Sequence, residues 1–178
     1  MEEINVEFEC NKYQRTYVEK YAKGRISNVG RSNENNINDD VYKELIKAID
    51  DKDSSRVDDL IYLIFCFKLF DAKFIELLNN LLVCDWHKQH ENIAILLQKL
   101  KSPSSVKVLF ETATKEFKYL EYDEFYALAV KCIWALGDIG TEQAKENLKL
   151  LLNNGNDIIK ENAQKQIDRI KNRASKMQ

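Results

Sequence analysis

One stretch of the chain combines a helical pattern with a glycine stop and an immediate restart. Apolar residues recur every three or four positions from Phe125 to Ile139, which is the spacing of one face of an α-helix. Gly140 follows the last of them, where a left-handed residue ends a helix at little steric cost. Thr141 comes next and can cap a second helix. The apolar face of that helix would consist of Ala144, Leu148, Leu151 and Leu152. The stretch therefore predicts two helices joined by a tight corner.

Gly137 and Gly140 are also compatible with a phosphate-binding loop. A P-loop requires a preceding strand and a Lys-Ser/Thr pair that opens the next helix, and a dinucleotide-binding loop requires three glycines after a strand. Here a helical pattern precedes the two glycines, and the loop contains no lysine. The pattern therefore favours a structural corner over a nucleotide site.

Helical patterns continue along most of the chain. Predicted helices cover residues 39–50, 55–70, 74–82, 88–100, 103–117, 125–139, 141–152 and 156–170. Asp71 and the Ser102-Pro103 pair mark two of the starts, because Asp and Ser cap helices and proline is tolerated at the first helical position. One proline and five glycines are too few turn formers for an all-β fold. We therefore expect an all-α fold.

The beginning of the chain differs from the remainder. Residues 4–10 alternate apolar and polar side chains, which predicts a short strand. Three tyrosines at four-residue intervals within residues 13–21 share one face of a predicted helix. A polar segment rich in Asn, Ser and Gly follows. We expect a strand/helix segment with a polar linker at residues 1–38 and a helical domain at residues 39–178.

Charge and apolar runs restrict what the chain binds and where it acts. It has 27 basic and 29 acidic residues and a net charge of −2, which argues against direct nucleic-acid binding by its whole surface. The first ten residues do not resemble a signal peptide, and the longest apolar run, residues 60–67, is too short to span a bilayer. We expect a cytoplasmic protein without a membrane segment, whose four cysteines remain thiols.

The helix–corner–helix unit recurs along the sequence. A shift of 39 residues places Leu136 on Leu97 and Thr141 on Ser102, so that the two helices and the corner coincide. A recurring helix pair of this length is typical of an α-solenoid.

The segment AVKCIWALGDIGTEQAKENLKLLL resembles the HEAT and HEAT-like repeats, in which a helix ending in Ala-Leu-Gly leads through an Asp-x-Gly corner to a second helix. Residues 135–140 carry this ending. The resemblance is specific for residues 121–172, loose for 86–120, architectural for 39–85 and absent for 1–38. It implies a short HEAT-like solenoid of about three antiparallel helix pairs, which binds another macromolecule and needs no cofactor.

Potential metal ligands or catalytic residues lie in the sequence CDWHKQHE. Cys84, His87 and His90 are spaced at three-residue intervals and could share a zinc ion, although no Cys-x-x-Cys pair accompanies them. Cys84 and His87 could also act as nucleophile and base, although no third group stands out to orient them. The alternative is structural, because the repeat places His90 on the core stripe as a packed, hydrogen-bonded histidine.

Two inter-helix corners combine aromatic and acidic side chains. The first contains Asp85, Trp86 and His87, and the second, one repeat later, contains Tyr119, Glu121, Tyr122, Asp123, Glu124 and Tyr126. Aromatic area beside carboxylates suits recognition of a basic protein, because the rings provide contact area and the acids attract the partner. Alternatively, the rings only pack adjacent repeats together. If the corner binds a partner, exchanging Asp123 and Glu124 for lysine should weaken binding and leave stability nearly unchanged.

A small, slightly acidic HEAT-like protein is similar to immunity proteins of bacterial toxin systems, including those of contact-dependent growth inhibition. This resemblance implies a non-enzymatic inhibitor, monomeric when free, that binds a basic toxin such as a nuclease one-to-one and covers its active cleft. One alternative is a HEAT-type adaptor or assembly subunit. Another is a HEAT-like lyase or glycosylase, although a glycosylase would need a basic groove that the net charge does not favour.

Overall fold

The computed structural model describes residues 37–175 of the 178-residue chain. Helices α1 to α8 comprise, in order, Ile37–Asp50, Ser54–Cys66, Ile75–Leu82, His90–Leu100, Val106–Ala113, Ala127–Ile139, Glu142–Leu151 and Asp157–Ser175. Single 3₁₀ turns occupy Ala72–Phe74, Pro103–Ser105 and Lys118–Leu120. No strand occurs between residues 37 and 175, so this part of the chain is all-α, as predicted. The strand and the helix predicted at residues 4–10 and 13–21 lie outside the described residues.

The chain divides into two compact units, residues 1–70 and residues 71–178. The first contains α1 and α2, which pack against each other. The helical domain predicted at residues 39–178 therefore includes helices of both units. Within the described range, no helix is both long enough and apolar enough to cross a bilayer.

Helix α2 is shorter than the predicted helix at residues 55–70, because it ends at Cys66. Lys68 adopts a left-handed conformation with a φ of 51°. The backbone N–H groups of Lys68 and Leu69 donate to the carbonyl oxygens of Phe65 and Ile64. These two bonds close the helix in the manner of a Schellman motif, with lysine in the position that glycine usually occupies.

The second unit arranges six helices in two rows. Helices α4, α6 and α8 form one row, in which α6 packs on both neighbours. Helices α3, α5 and α7 form the other row, in which α5 contacts both neighbours. Between the rows, α3 packs on α4, α5 packs on α6, and α7 packs on both α6 and α8. The central position of α6 agrees with its burial, since Leu128, Cys132, Ile133 and Leu136 are at most 3% exposed.

The corner between α6 and α7 has the predicted form. Gly140 ends α6 with a left-handed φ of 64°, and the Thr141 hydroxyl caps α7 by accepting a hydrogen bond from the Ala144 N–H at 3.2 Å. Gly137 does not belong to this turn. It lies inside α6, where an added Cβ would come within 2.2 Å of the Gln166 side chain on α8. Helix packing, rather than turn geometry, therefore requires glycine at position 137.

Two phenylalanines that the periodicity placed within helices lie outside them. Helix α5 ends at Ala113, so Phe117 belongs to the following segment, although it is buried. Helix α6 begins at Ala127, so Phe125 precedes it and is 78% exposed. The reason is Asp123, whose carboxylate accepts hydrogen bonds from the N–H groups of Phe125 and Ala127 at 3.1 and 2.7 Å. These bonds begin the helix later than the apolar stripe suggests.

Other predicted helix starts are confirmed. Asp71, Ser102 and Asn156 each accept hydrogen bonds from backbone N–H groups of the following turn. Helix α4, in contrast, begins at His90, two residues later than predicted.

Three of the four cysteines lie within the described residues, and all three are thiols, as predicted. Cys66 and Cys132 are buried, and Cys84 is half-buried. Burial raises the pKa of the Cys132 thiol far above its usual range, so this residue is an uncharged core side chain.

Candidate partner-binding site

The first predicted corner, between α3 and α4, is folded around His87. This side chain is 1% exposed. Its Nδ1 accepts a hydrogen bond from the Gln89 N–H at 3.1 Å, which places the ring proton on Nε2. Nε2 then donates to the Leu81 carbonyl at 2.9 Å. Both ring nitrogens are therefore used inside the protein, and His87 belongs to the interior rather than to the surface of the corner.

His90 links this corner to the second one. Its Nε2 donates to the Cys84 carbonyl at 2.6 Å, and its Nδ1 accepts from the Tyr119 hydroxyl at 2.7 Å. Burial is the main cause that lowers the pKa of His90 to about 4, and the positive charge of Lys115 adds to it, despite the bond to Cys84. The imidazole is therefore neutral at pH 7. The predicted packed, hydrogen-bonded histidine is confirmed.

Aromatic rings surround the two histidines and join the corners. The rings of His87 and His90 stack with their centroids 4.4 Å apart, and Phe117 lies 4.1 Å from His90. Trp86 meets His87 edge-on at 5.0 Å. The Lys115 ammonium lies 4.6 Å from the centre of the Phe117 ring and donates to the Val83 carbonyl. The predicted residues Trp86, His87 and Tyr119 thus belong to one cluster that fixes the base of the second corner.

The second corner is an extended loop between α5 and α6, and we call residues 116–126 the aromatic–acidic loop. The 3₁₀ turn Lys118–Leu120 lies near its start, and Asp123 holds its end to the first turn of α6. Between these anchors the chain carries Tyr122, which is 90% exposed, and Phe125, which is 78% exposed. Tyr126 has a left-handed φ of 51° and is 42% exposed.

Three of the four carboxylates of the loop, all except that of Asp123, form no bond within the described structure. Among residues 37–175, the side chains of Glu116, Glu121 and Glu124 form neither an ion pair nor a hydrogen bond. Loop residues 116–126 contain four acids and one lysine. Negative charge and exposed aromatic area therefore occur together at this surface.

The structure separates the predicted contact residues into three environments. Exposed positions are Asp85, Glu121, Tyr122, Glu124 and Tyr126; half-buried positions are Trp86, Tyr119 and Asp123; His87 is buried. The sequence interpretation omitted Phe125 from the surface because it continues an apolar stripe. The signal that identifies it is Asp123, a capping residue that marks the helix start.

The zinc and nucleophile interpretations of Cys84, His87 and His90 have little geometric support. The histidine nitrogens face backbone groups and a tyrosine hydroxyl, and the Cys84 thiol donates to the Asn80 carbonyl at 3.2 Å. In the part of the chain that the structure describes, no three His, Cys, Asp or Glu side chains are grouped for a metal ion. His87 has no free basic nitrogen to activate the thiol.

No protein-family model and no curated protein matches this chain. The interpretation of the loop therefore rests on its own contacts, exposure and charge.

Proposed function

We propose that this chain is a protein-binding helical-repeat module whose aromatic–acidic loop contacts a basic protein. We further propose that this partner is a bacterial toxin, and that the chain is the immunity protein that covers the toxin's active cleft.

The proposed scaffold is a short HEAT-like solenoid of three antiparallel helix pairs, α3 with α4, α5 with α6, and α7 with α8. The two rows of successively contacting helices support it, because repeats in a solenoid contact only their neighbours. Polar bonds also run along one row. Asp138 on α6 accepts from Gln98 on α4 at 2.6 Å and from Arg169 on α8 at 2.7 Å. Such a scaffold holds a surface loop at a constant position.

The observation that carries the proposal is the exposure of Tyr122 and Phe125 beside unpaired carboxylates. Burying a phenylalanine side chain that is exposed in the free protein contributes about 1.5–3 kcal/mol to binding. Aromatic anchors of this kind dominate the energy of protein interfaces. Free carboxylates around them attract a positively charged surface and raise the association rate.

The loop is also held in position before binding. Asp123 connects its end to α6, and Tyr119 connects its start to His90. A loop that is already ordered loses less conformational entropy when it binds. This pre-organisation supports a stable one-to-one complex over a transient contact.

The inhibitory mechanism is steric and electrostatic. A toxin that cleaves nucleic acid presents a basic cleft to its substrate, because phosphate contacts dominate nucleic-acid affinity. An acidic loop with protruding aromatic side chains would occupy that cleft and exclude the substrate. The mechanism needs no catalytic residue in the immunity protein.

The test first determines whether the gene directly upstream encodes a secreted protein with a C-terminal toxin domain, and the absence of such a gene would contradict the immunity role. It then mixes the purified chain with that toxin domain. We expect a one-to-one complex in size-exclusion chromatography with light scattering, and loss of toxin activity at equimolar ratio. Lack of a complex would contradict the immunity role. A complex that leaves the toxin fully active would instead support the adaptor role.

A further inference from the structure

A cleft of about 820 Å³ opens beside the aromatic–acidic loop. Its floor consists of five buried apolar residues from three helices and the loop, whereas more than half of its accessible lining is polar: the five are Ala113, Phe117, Leu128, Ala129 and Ile159. This volume lies within the range of sites that hold compact ligands, and an apolar floor favours an apolar occupant. The cleft is therefore large enough for a bulky side chain with its flanking backbone.

Charged residues surround this floor. Glu116, Glu121 and Asp123 line the cleft together with Lys115 and Lys118. Lys115 is held by the Val83 carbonyl and the Phe117 ring, and Asp123 is held by α6. Glu116 and Glu121 are exposed and form no ion pair among the described residues. Lys118 is exposed and likewise forms no ion pair among the described residues. The rim therefore carries two unpaired carboxylates and one unpaired ammonium group, and this net negative charge complements positive charge on an occupant.

We propose that this cleft receives one large apolar side chain of the partner, presented by an extended segment with lysine or arginine on either side. The apolar floor holds the anchor side chain, and Glu116 and Glu121 pair with the flanking cations. This inference rests on the proposed function, because it assigns the docking mode of the same basic partner. Tyr122 and Phe125 then contact the partner's surface beside the inserted segment.

The test uses the full chain, labelled with ¹⁵N, and a capped peptide of sequence Gly-Lys-Lys-Phe-Arg-Lys-Gly. We expect saturable amide shifts at Ala113, Ala129 and Ile159. Two reference peptides replace either the phenylalanine with serine or the four cations with glutamate. Each should bind at least about tenfold more weakly, because each removes one of the two matched features.

Charge variants of the rim provide matched controls. Glu121→Lys should weaken binding of the basic peptide several-fold, whereas Lys118→Glu should strengthen it several-fold at about 50 mM salt. Because both positions are exposed, we expect both variants to fold like the parent chain, and their affinities for the peptide can be compared directly. The inference is overturned if no saturable shift occurs, if the shifts lie elsewhere, or if the serine peptide binds equally well.

This test separates the inference from the proposed function. If the chain binds the toxin but the peptide shifts no amide signal in the cleft, only the cleft inference is contradicted. If the peptide binds at the cleft but the chain does not bind the toxin, the cleft is supported as a docking site and the toxin role is contradicted.

Discussion

Gly137 sets how closely α6 approaches α8. A Cβ at this position would lie 2.2 Å from the Gln166 Oε1 and 2.9 Å from its Cβ, both too short for packed atoms. We expect Gly137→Ala to lower the free energy of unfolding by about 1–2 kcal/mol, because overpacking outweighs the gain in helix propensity. Urea unfolding measures this loss.

Gly155 provides the control for this substitution, because an added Cβ there meets no atom of the described residues within 4 Å. Gly155→Ala should change stability by less than about 0.5 kcal/mol. Truncating the obstacle in Gly137→Ala/Gln166→Ala should recover part of the loss. Equal stabilities of the two single variants would show that α8 is not packed against Gly137.

His90 makes the stability of the fold depend on pH. Its pKa is about 4 in the folded chain and near 6.5 in an unfolded one. Below pH 6.5 the unfolded chain binds a proton that the folded chain does not, so the unfolding free energy falls between pH 6.5 and 4. This single group contributes a fall of roughly 3 kcal/mol. Urea unfolding as a function of pH measures it.

The variant His90→Gln isolates this contribution, since its amide can still donate to the Cys84 carbonyl but does not titrate. We expect it to be less stable than the parent chain at pH 7 and to lose less stability between pH 6.5 and 4. The same pH slope in both proteins would contradict the assignment of a buried, neutral His90.

At the scale of elements, Asp123 begins α6 and positions the exposed part of the loop. Removing a helix cap costs about 1 kcal/mol, so Asp123→Ala should destabilise the fold by that amount. Glu124→Ala is the matched control and should have almost no effect, because its side chain makes no bond within the described residues. The melting temperatures of the two variants show whether Asp123 stabilises the start of α6 or acts only at the surface. If both are equally stable, Asp123 does not cap α6.

The structural role of Asp123 changes the expected outcome of the Asp123→Lys, Glu124→Lys exchange that the sequence suggested. Lysine at position 123 would remove the cap as well as a surface charge, so Asp123→Lys should lower stability. The pair Glu121→Lys and Glu124→Lys reverses the charge of the loop without removing any side-chain bond seen among residues 37–175. It is therefore the variant that tests electrostatic attraction of a partner.

Several helix starts were predictable from local capping residues. Thr141, Ser102 and Asp71 accept the expected hydrogen bonds, because capping depends only on the next few residues. The end of α2 was not predictable, since Lys68 rather than glycine adopts the left-handed conformation. The start of α6 was missed because Phe125 continues the apolar period although it faces solvent.

The sequence showed which residues form the candidate site, but it did not show which of their side chains are buried and which are exposed. The sequence identified both aromatic and acidic corners, and the repeat placed His90 in the core. Burial of His87 depends on its bond to the Leu81 carbonyl and on stacking with His90, both of which arise only when the corner folds. Exposure of Tyr122 likewise depends on where the loop is anchored.

At the scale of the whole molecule, Asp138 connects the three helices α4, α6 and α8. Its carboxylate is 10% exposed and accepts from Gln98, Arg169 and Arg173. We expect Asp138→Ala to cost about 2–3 kcal/mol, because it leaves the Arg169 guanidinium without its charged partner. Asp168→Ala, at an exposed ion pair on α8, should cost less than about 1 kcal/mol. Comparable losses would contradict a cross-helix role for Asp138.

The molecule thus combines a packed helical unit with one loop that leaves aromatic area and negative charge in solvent. The interior polar groups of that unit, His87, His90 and Asp138, hold helices and corners together. The loop between α5 and α6 has bonds at its ends, but its central side chains Tyr122 and Glu124 form none with residues 37–175. The helices and corners therefore stabilise the fold, and the loop is the surface at which we propose that a partner binds.

The most direct test of this account is the affinity of the chain for the proposed toxin partner, measured by isothermal titration calorimetry. We predict that Tyr122→Ala/Phe125→Ala weakens binding at least about 100-fold, while its melting temperature stays close to that of the parent chain. Leu150→Ala, which truncates an exposed apolar residue on α7, should bind like the parent chain. Unchanged affinity of the double variant, or an equal loss from Leu150→Ala, would contradict recognition through the aromatic–acidic loop.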